Sequence, residues 1–177
     1  MRGRFEETIP LLYLAEIMCD SLEKERPRDI SAQYLLNDQL AVLRRTMTYE
    51  RGVRALHINE PEISLINMKA FNKAVRESYK DVIPGGKDQT LGVSWNELGN
   101  AFLQNNDGLE AEKCYLESKN CLGALEGATH ISVSMPLINL GFASWIQGRL
   151  GEADEAFCQA LKDRENEYGI DDKVSFV

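Results

Sequence analysis

The sequence predicts an all-α protein made of helix–turn–helix hairpins stacked into a short solenoid. Three observations lead there. Two stretches inside Val93–Glu165 overlay at a constant offset of 42 residues, large apolar residues within each recur at helical spacing, and polar turns interrupt both at matching places. A fixed period of this size marks a chain whose supersecondary units cannot bury their apolar faces alone and bury them against one another.

In the first copy Trp95, Leu98, Gly99 and Phe102 are followed by Ala111, Tyr115 and Ser118; in the second Leu137, Leu140, Gly141 and Ser144 are followed by Ala153, Phe157 and Ala160. The first helix of the first copy carries large apolar groups at i, i+3 and i+7, one stripe of a helix, and both copies place glycine at i+4 where a backbone must come close. After a polar turn, Asn105–Gly108 or Gln147–Gly151, the second helix offers Ala111 or Ala153. Small then faces small, the two helices pack tightly, and Tyr115 or Phe157 one turn later fills the space beside them.

Towards the N-terminus, Phe5 to Lys24 predicts an amphipathic helix whose buried stripe is Ile9, Leu12, Ile17 and Leu22 with Tyr13, and Pro27 marks its end. A second long helix is predicted from Ser31, with Leu36, Leu40, Leu43 and Met47 at three- or four-residue steps and Asp29 or Ser31 as its cap. It runs as far as His57, before Asn59-Glu60-Pro61 breaks it. A third, degenerate hairpin copy spans this break: Gly52 and Ser64 take the small-residue places of Gly99 and Ala111, and Met68 takes that of Tyr115. The copy departs from the pattern at Arg51, where an apolar residue would match Leu98. Its interval of 47 residues exceeds the later period of 42, an excess that the turn-rich insertion Pro84–Thr90 explains. The organisation expected is thus residues 1–90 as N-terminal helices with the degenerate repeat, and 91–177 as two repeats and the start of a third, all within one solenoid domain.

The pattern W/L-x-x-L-G-x-x-F/S followed by A-x-x-x-Y/F-x-x-S/A resembles the tetratricopeptide repeat. The longer period, the Gln147-Gly148-Arg149-Leu150 turn and the run Ala160-Leu161-Lys162-Asp163-Arg164-Glu165 with Tyr168-Gly169 are similar to the kinesin-light-chain type of that repeat. Leu91-Gly92-Val93-Ser94-Trp95-Asn96-Glu97-Leu98-Gly99 is also similar to segments of large fungal repeat proteins, some of which attach such repeats to a nucleotide-binding signalling domain. The resemblance covers about Leu91 to Val177. It implies a right-handed solenoid and a non-catalytic scaffold for proteins or peptides, and it names no partner; the alternative is a structural or regulatory repeat segment that packs within a larger signalling protein or homo-oligomer without a peptide groove of its own.

The same resemblance implies where a partner binds. In this family the first helix of each hairpin lines the concave groove, and the matching positions are Val93, Asn96, Asn100, Leu103 and Gln104 in the first copy and Met135, Ile138, Phe142, Trp145 and Ile146 in the second. Asn and Gln side chains can hydrogen-bond a peptide backbone, while Phe142 and Trp145 can hold an apolar anchor. The apolar members have a second expected role, packing on neighbouring helices. Asn139 falls where kinesin-light-chain repeats often carry Asn, and Glu97 replaces it in the first copy.

Composition narrows the function classes. With 177 residues the chain is long enough for one domain with a real core, and its apolar content of 44% argues against global disorder. A net charge of −8 disfavours general nucleic-acid binding, which needs clustered Lys and Arg. The excess sits wholly in the repeat half: residues 91–177 hold 14 acidic and 6 basic residues, whereas residues 1–90 hold 14 of each. That field keeps the surface solvated and would steer a basic partner segment towards it. Arg44, Arg51 and Arg54 lie close to one helical face and either recognise an acidic or phosphate group or pair with nearby acids such as Glu50 or those of the repeat half.

No cofactor, metal or catalytic set is expected. Cys19, Cys114, Cys121 and Cys158 form no C-x-x-C and read as small buried hydrophobes of a reducing compartment. His57 and His130 stand alone in separate segments, as helix-end or loop residues. Gly85-Gly86-Lys87 fails the phosphate-loop pattern, because Asp81 stands where glycine is required and Asp88 follows the lysine. Nothing pairs carboxylates for acid–base work. The apolar Ile9–Ala15 run is short and bracketed by acids, unlike a secretory or mitochondrial leader, so cytoplasmic or nuclear residence is the expectation.

The C-terminal stretch carries a further expectation. A next repeat would place its match to Leu137 at 179, and Val174-Ser175-Phe176-Val177 looks like its opening. Leu150, Ala156 and Leu161 suggest that the Gly151–Tyr168 helix expects a neighbour, either because the chain is a fragment of a longer array or because this end self-associates.

Overall fold

The computed structural model describes residues 2–25, 29–79, 88–125 and 130–168, and these form seven α-helices: α1 (Arg2–Lys24), α2 (Ile30–His57), α3 (Pro61–Tyr79), α4 (Gln89–Gln104), α5 (Gly108–Gly123), α6 (His130–Ile146) and α7 (Leu150–Tyr168). Pro27, the Pro84–Lys87 part of the predicted insertion and the Val174–Val177 stretch lie outside the described residues. By packing, the chain divides into Met1–Phe71 and Asn72–Val177, a division that falls inside α3.

In the first unit α2 starts where the sequence places it. Asp29 is its cap, accepting a hydrogen bond from the Ala32 N–H at 2.9 Å. Against α1 it builds a core of Cys19, Leu40 and Met47, flanked by Leu12, Ala15 and Leu36. This differs from the predicted stripe. Ile9, Tyr13, Ile17 and Leu22 of α1, and Leu43 of α2, are exposed. A helix pair covers only the strip where the two cylinders meet, and on α1 that strip is Leu12, Ala15 and Cys19, one helical period apart. Arg44 and Arg51 of the arginine stripe are paired, but with acids of α1 that the sequence reading did not nominate. Arg44 meets Asp20 and Glu23 at 3.0 Å each, and Arg51 meets Glu16 at 2.7 Å.

The break between α2 and α3 is a tight corner. Asn59 adopts a left-handed backbone at φ 61°, and the Glu60 N–H donates to the Ala55 carbonyl at 2.9 Å. Across the corner Gly52 faces Met68, whose Cε stands 2.7 Å from where a Cβ on the glycine would be. Tyr49 and Phe71 pack with ring centroids 5.0 Å apart.

The second unit contains two stacked hairpins, α4–α5 and α6–α7. Asp88 caps α4, its carboxylate accepting from the Thr90 N–H. Burial alone would raise the Asp88 pKa, but the N–H groups of Thr90 and Leu91 and the Tyr79 hydroxyl outweigh it and hold the carboxyl below its ordinary value. Both hairpins turn through a left-handed residue at matching positions, Asn106 at φ 61° and Gly148 at φ 76°. Inside each, glycine lets an aromatic ring lie on the first helix: a Cβ on Gly99 would meet Tyr115 at 2.5 Å, and one on Gly141 would meet Phe157 at 2.6 Å. Ala111, Tyr115 and Ala143 form the centre of the stack, with Phe102, Leu103 and Leu140 packed around them. Towards the start of the unit, buried Asn72 donates to the Ser94 hydroxyl at 3.0 Å, which in turn donates to the Leu91 carbonyl at 2.8 Å.

His57 closes α2 and His130 opens α6, as helix-end residues. All four cysteines are free; Cys19, Cys114 and Cys121 are buried, whereas Cys158 is exposed on the outer side of α7 and departs from the expectation of burial. Burial, aided by the charges of Glu110 and Glu117, pushes the Cys114 thiol up to about 12.

Candidate partner-binding face

The first helices of the two hairpins, α4 and α6, carry all ten residues predicted to contact a partner, five on each. Their environments differ by helix. On α4, Asn96 is buried, Asn100, Leu103 and Gln104 are half-buried, and Val93 is just exposed. On α6, Ile138 is half-buried while Met135, Phe142, Trp145 and Ile146 are exposed, Trp145 by 57%. The two sets occupy matching positions 42 residues apart. The α4 set is more covered because α6 lies beside it: Asn139 reaches Asn96 and Asn100, and Leu103 packs on the Ala111–Tyr115–Ala143 core.

The structure gathers the predicted asparagines into one amide cluster. Asn139 Nδ2 donates to Asn96 Oδ1 at 2.9 Å and to Asn100 Oδ1 at 3.2 Å. From beneath, the Tyr115 hydroxyl donates to the same Asn100 oxygen at 2.9 Å. Glu97 closes the cluster, its carboxylate accepting from Asn100 Nδ2 at 3.2 Å and from Asn96 Nδ2 at 3.4 Å. Burial, and then the charge of Glu97, raises the Tyr115 pKa, so the phenol stays neutral and remains a donor.

Sequence reasoning missed two members of this cluster. Tyr115 had been read as a packing group, and Glu97 as a gap in the asparagine ladder. The signal was a pairing between positions: where the first copy has Asn100 and Tyr115, the second has Phe142 and Phe157, whose rings meet edge-on with centroids 5.2 Å apart. A polar pair in one repeat is thus an aromatic pair in the next. Position by position, the face runs from a bonded amide patch on α4 to an apolar row on α6.

A second unpredicted group ties the hairpins together behind this face. Gln147 Nε2 donates to the Gly108 carbonyl at 3.2 Å and to Glu112 at 3.3 Å, and the Arg149 guanidinium binds the same Glu112 carboxylate. A turn between one pair of helices is thereby fastened to the second helix of the preceding pair.

Among the described residues there is no group of three or more His, Cys, Asp or Glu arranged to hold a metal ion, and no helix is long and apolar enough to cross a membrane. Comparison with curated proteins gives no match. Residues 90–166 match the family model of the tetratricopeptide repeat, a repeat class that generally mediates protein–protein interaction, and the α4–α7 stretch is similar to that repeat.

Proposed function

We propose that the chain is a non-catalytic scaffold that holds an extended peptide or protein segment along the α4–α6 face. The observation that carries this reading is the exposed row Met135, Phe142, Trp145 and Ile146 beside the amide cluster. Large apolar side chains left in water along one helix face mark an interaction surface, and a tryptophan among them suits an anchor. The amides are satisfied by one another, so they act as a preorganised rim whose carbonyls and N–H groups have further bonding capacity for a peptide backbone. The acidic excess of the repeat half favours a segment with basic residues next to its apolar anchor. Asn139 at the centre of the cluster supports the finer assignment to kinesin-light-chain-type repeats.

We also propose that α2 and α3 carry a degenerate third repeat. Gly52, Asn59, Ser64 and Met68 stand 47 residues before Gly99, Asn106, Ala111 and Tyr115, and they reproduce both the left-handed corner and the close glycine contact.

The test of the scaffold reading is selection of binders from a random peptide library on the wild-type chain, followed by affinity measurement on Trp145→Ala. Trp145 is a surface residue, so equal helicity and melting are expected for the two proteins. Selected peptides should lose roughly 30-fold in affinity, corresponding to a hot-spot loss of about 2 kcal/mol. Peptides that bind both proteins equally would remove the α6 row from the site.

A further inference from the structure

Glu97 lies on α4 four residues after Val93 and three before Asn100, in one stripe with them, and its match 42 residues on is Asn139, in one stripe with Met135 and Phe142. None of the ten residues predicted to contact a partner is charged, so Glu97 brings the amide cluster its single charge. The surroundings leave that charge without a counter-ion. A glutamate on a helix commonly pairs with Lys or Arg three or four residues away, but those places hold Val93, Ser94, Asn100 and Ala101. Glu97 is half-buried, and its partners are two neutral amides: Oε1 accepts from Asn96 Nδ2 at 3.4 Å and Oε2 from Asn100 Nδ2 at 3.2 Å. Among the described residues no cation pairs with it. Arg76, which does reach α4, lies over the Trp95 ring, 5.4 Å from its centroid.

We infer that the Glu97 carboxylate is the subsite for one basic side chain of the segment bound along α4 and α6. This rests on the scaffold reading above, and adds which residue reads the segment's charge and at what spacing from its anchor. Each carboxylate oxygen holds one amide N–H and keeps capacity for a further donor, so a guanidinium fork can engage both. The amides are themselves held. Asn139 donates to the side-chain oxygens of Asn96 and Asn100, and the Tyr115 hydroxyl donates to that of Asn100. The acceptor is therefore set before the segment arrives, and little ordering is left to pay on binding. Half-burial reduces solvent screening, so a cation gains more here than at a fully exposed carboxylate, and an acidic side chain is repelled. Asn139 also joins the charge to the apolar row, since Phe142 follows it by one turn of α6. Neighbouring helices stand about 8–10 Å apart and an extended segment advances about 3.3 Å per residue, which places the basic residue about three or four positions from the apolar anchor.

The experiment takes the peptides enriched from a random library on the full wild-type chain and measures their affinity, by anisotropy of a label on the peptide, for wild type, Glu97→Gln and Trp145→Ala. Glu97→Gln keeps the side-chain length and an acceptor for the amides while removing the charge, and equal helicity and melting confirm its fold. The enriched peptides should share a basic residue about three or four positions from an apolar one. Glu97→Gln should weaken them about tenfold, and replacing the basic residue of the peptide by glutamine should weaken wild-type binding to the same degree. The two changes together should cost no more than either alone, because they remove the same contact. Peptides without a shared basic residue, affinity unchanged by Glu97→Gln, or losses that simply add would each overturn the inference. The two readings fail separately. Peptides weakened by Trp145→Ala but indifferent to Glu97→Gln leave the scaffold reading standing and refute this one; peptides weakened by Glu97→Gln alone support the charged subsite and remove the α6 row.

Discussion

The Tyr115 hydroxyl donates to Asn100 Oδ1 across 2.9 Å, and this one bond joins the packed interior of the first hairpin to the face presented by α4. Removing it with Tyr115→Phe leaves the ring and its burial in place. The Asn100 oxygen keeps its bond from Asn139, so the loss should be that of a single hydrogen bond, about 1 kcal/mol in urea unfolding. Asn100→Ala should cost more, because it strips partners from the phenol, from Asn139 and from Glu97 together. An equal cost for the two variants would mean that the cluster does not act as a unit.

Glycine at the helix crossing is expected to be least replaceable where the opposing group is stiff. Gly99→Ala drives a Cβ into the Tyr115 ring at 2.5 Å, and overpacking of this kind costs about 1–3 kcal/mol. Gly52→Ala meets only the far end of Met68, a flexible thioether, while alanine gains up to about 1 kcal/mol of helix propensity. Thermal melts should therefore show a clear loss for the first and a small change for the second; the reverse order would contradict the close-contact reading.

Stability should fall at both extremes of pH for separate reasons. The Asp88 carboxyl lies below its ordinary value, so its contribution is present above the unfolded pKa of 3.8 and is lost as pH falls through the folded value. Asp88→Ala, which removes the cap of α4 at a cost of about 1 kcal/mol, should flatten the acid limb. The Cys114 thiol is raised, so its contribution is complete below 9.0 and erodes as pH climbs towards about 12. Cys114→Ala should reduce the alkaline slope. Denaturant midpoints measured across pH check both signs.

In the first unit, apolar packing should outweigh the ion pairs. Leu40→Ala opens a cavity in the Cys19–Leu40–Met47 core and should cost about 2–5 kcal/mol. Arg44→Ala breaks two pairs whose partners are all 40% exposed or more, and such pairs contribute about 0–1 kcal/mol. Unfolding of the two variants side by side decides it; a larger loss for Arg44→Ala would show that charge, not burial, joins α1 to α2.

Much of this architecture was legible in the sequence because the repeat states its constraints twice. Gly99 and Gly141, with Tyr115 and Phe157, announce a close helix crossing through residue size alone, and Asn59-Glu60-Pro61 announces a corner through backbone preference. The α1 stripe was misread because periodicity gives a helix's apolar side but not how much of it a single neighbour covers; Leu12, Ala15 and Cys19 face α2 while Tyr13 and Ile17 do not. On the candidate face, the positions of Asn96, Asn100 and Asn139 could be read, but their mutual bonds could not. Those bonds depend on the distance between α4 and α6, which no local pattern encodes. Arg149 and Glu112 escaped for the same reason, being 37 residues apart and on different hairpins.

The left-handed corner residues Asn59, Asn106 and Gly148 each follow their crossing glycine by seven positions and precede the matching Ser64, Ala111 or Ala153 by five. If α2 and α3 carry the proposed third repeat, spacing within a hairpin is fixed while the interval between hairpins changes from 47 to 42. One residue added inside a corner would turn the second helix by about 100° and swing Tyr115 or Phe157 off its glycine. Length can vary only in the connections, so the hairpin is the indivisible module from which a chain of this kind is lengthened, shortened or recombined.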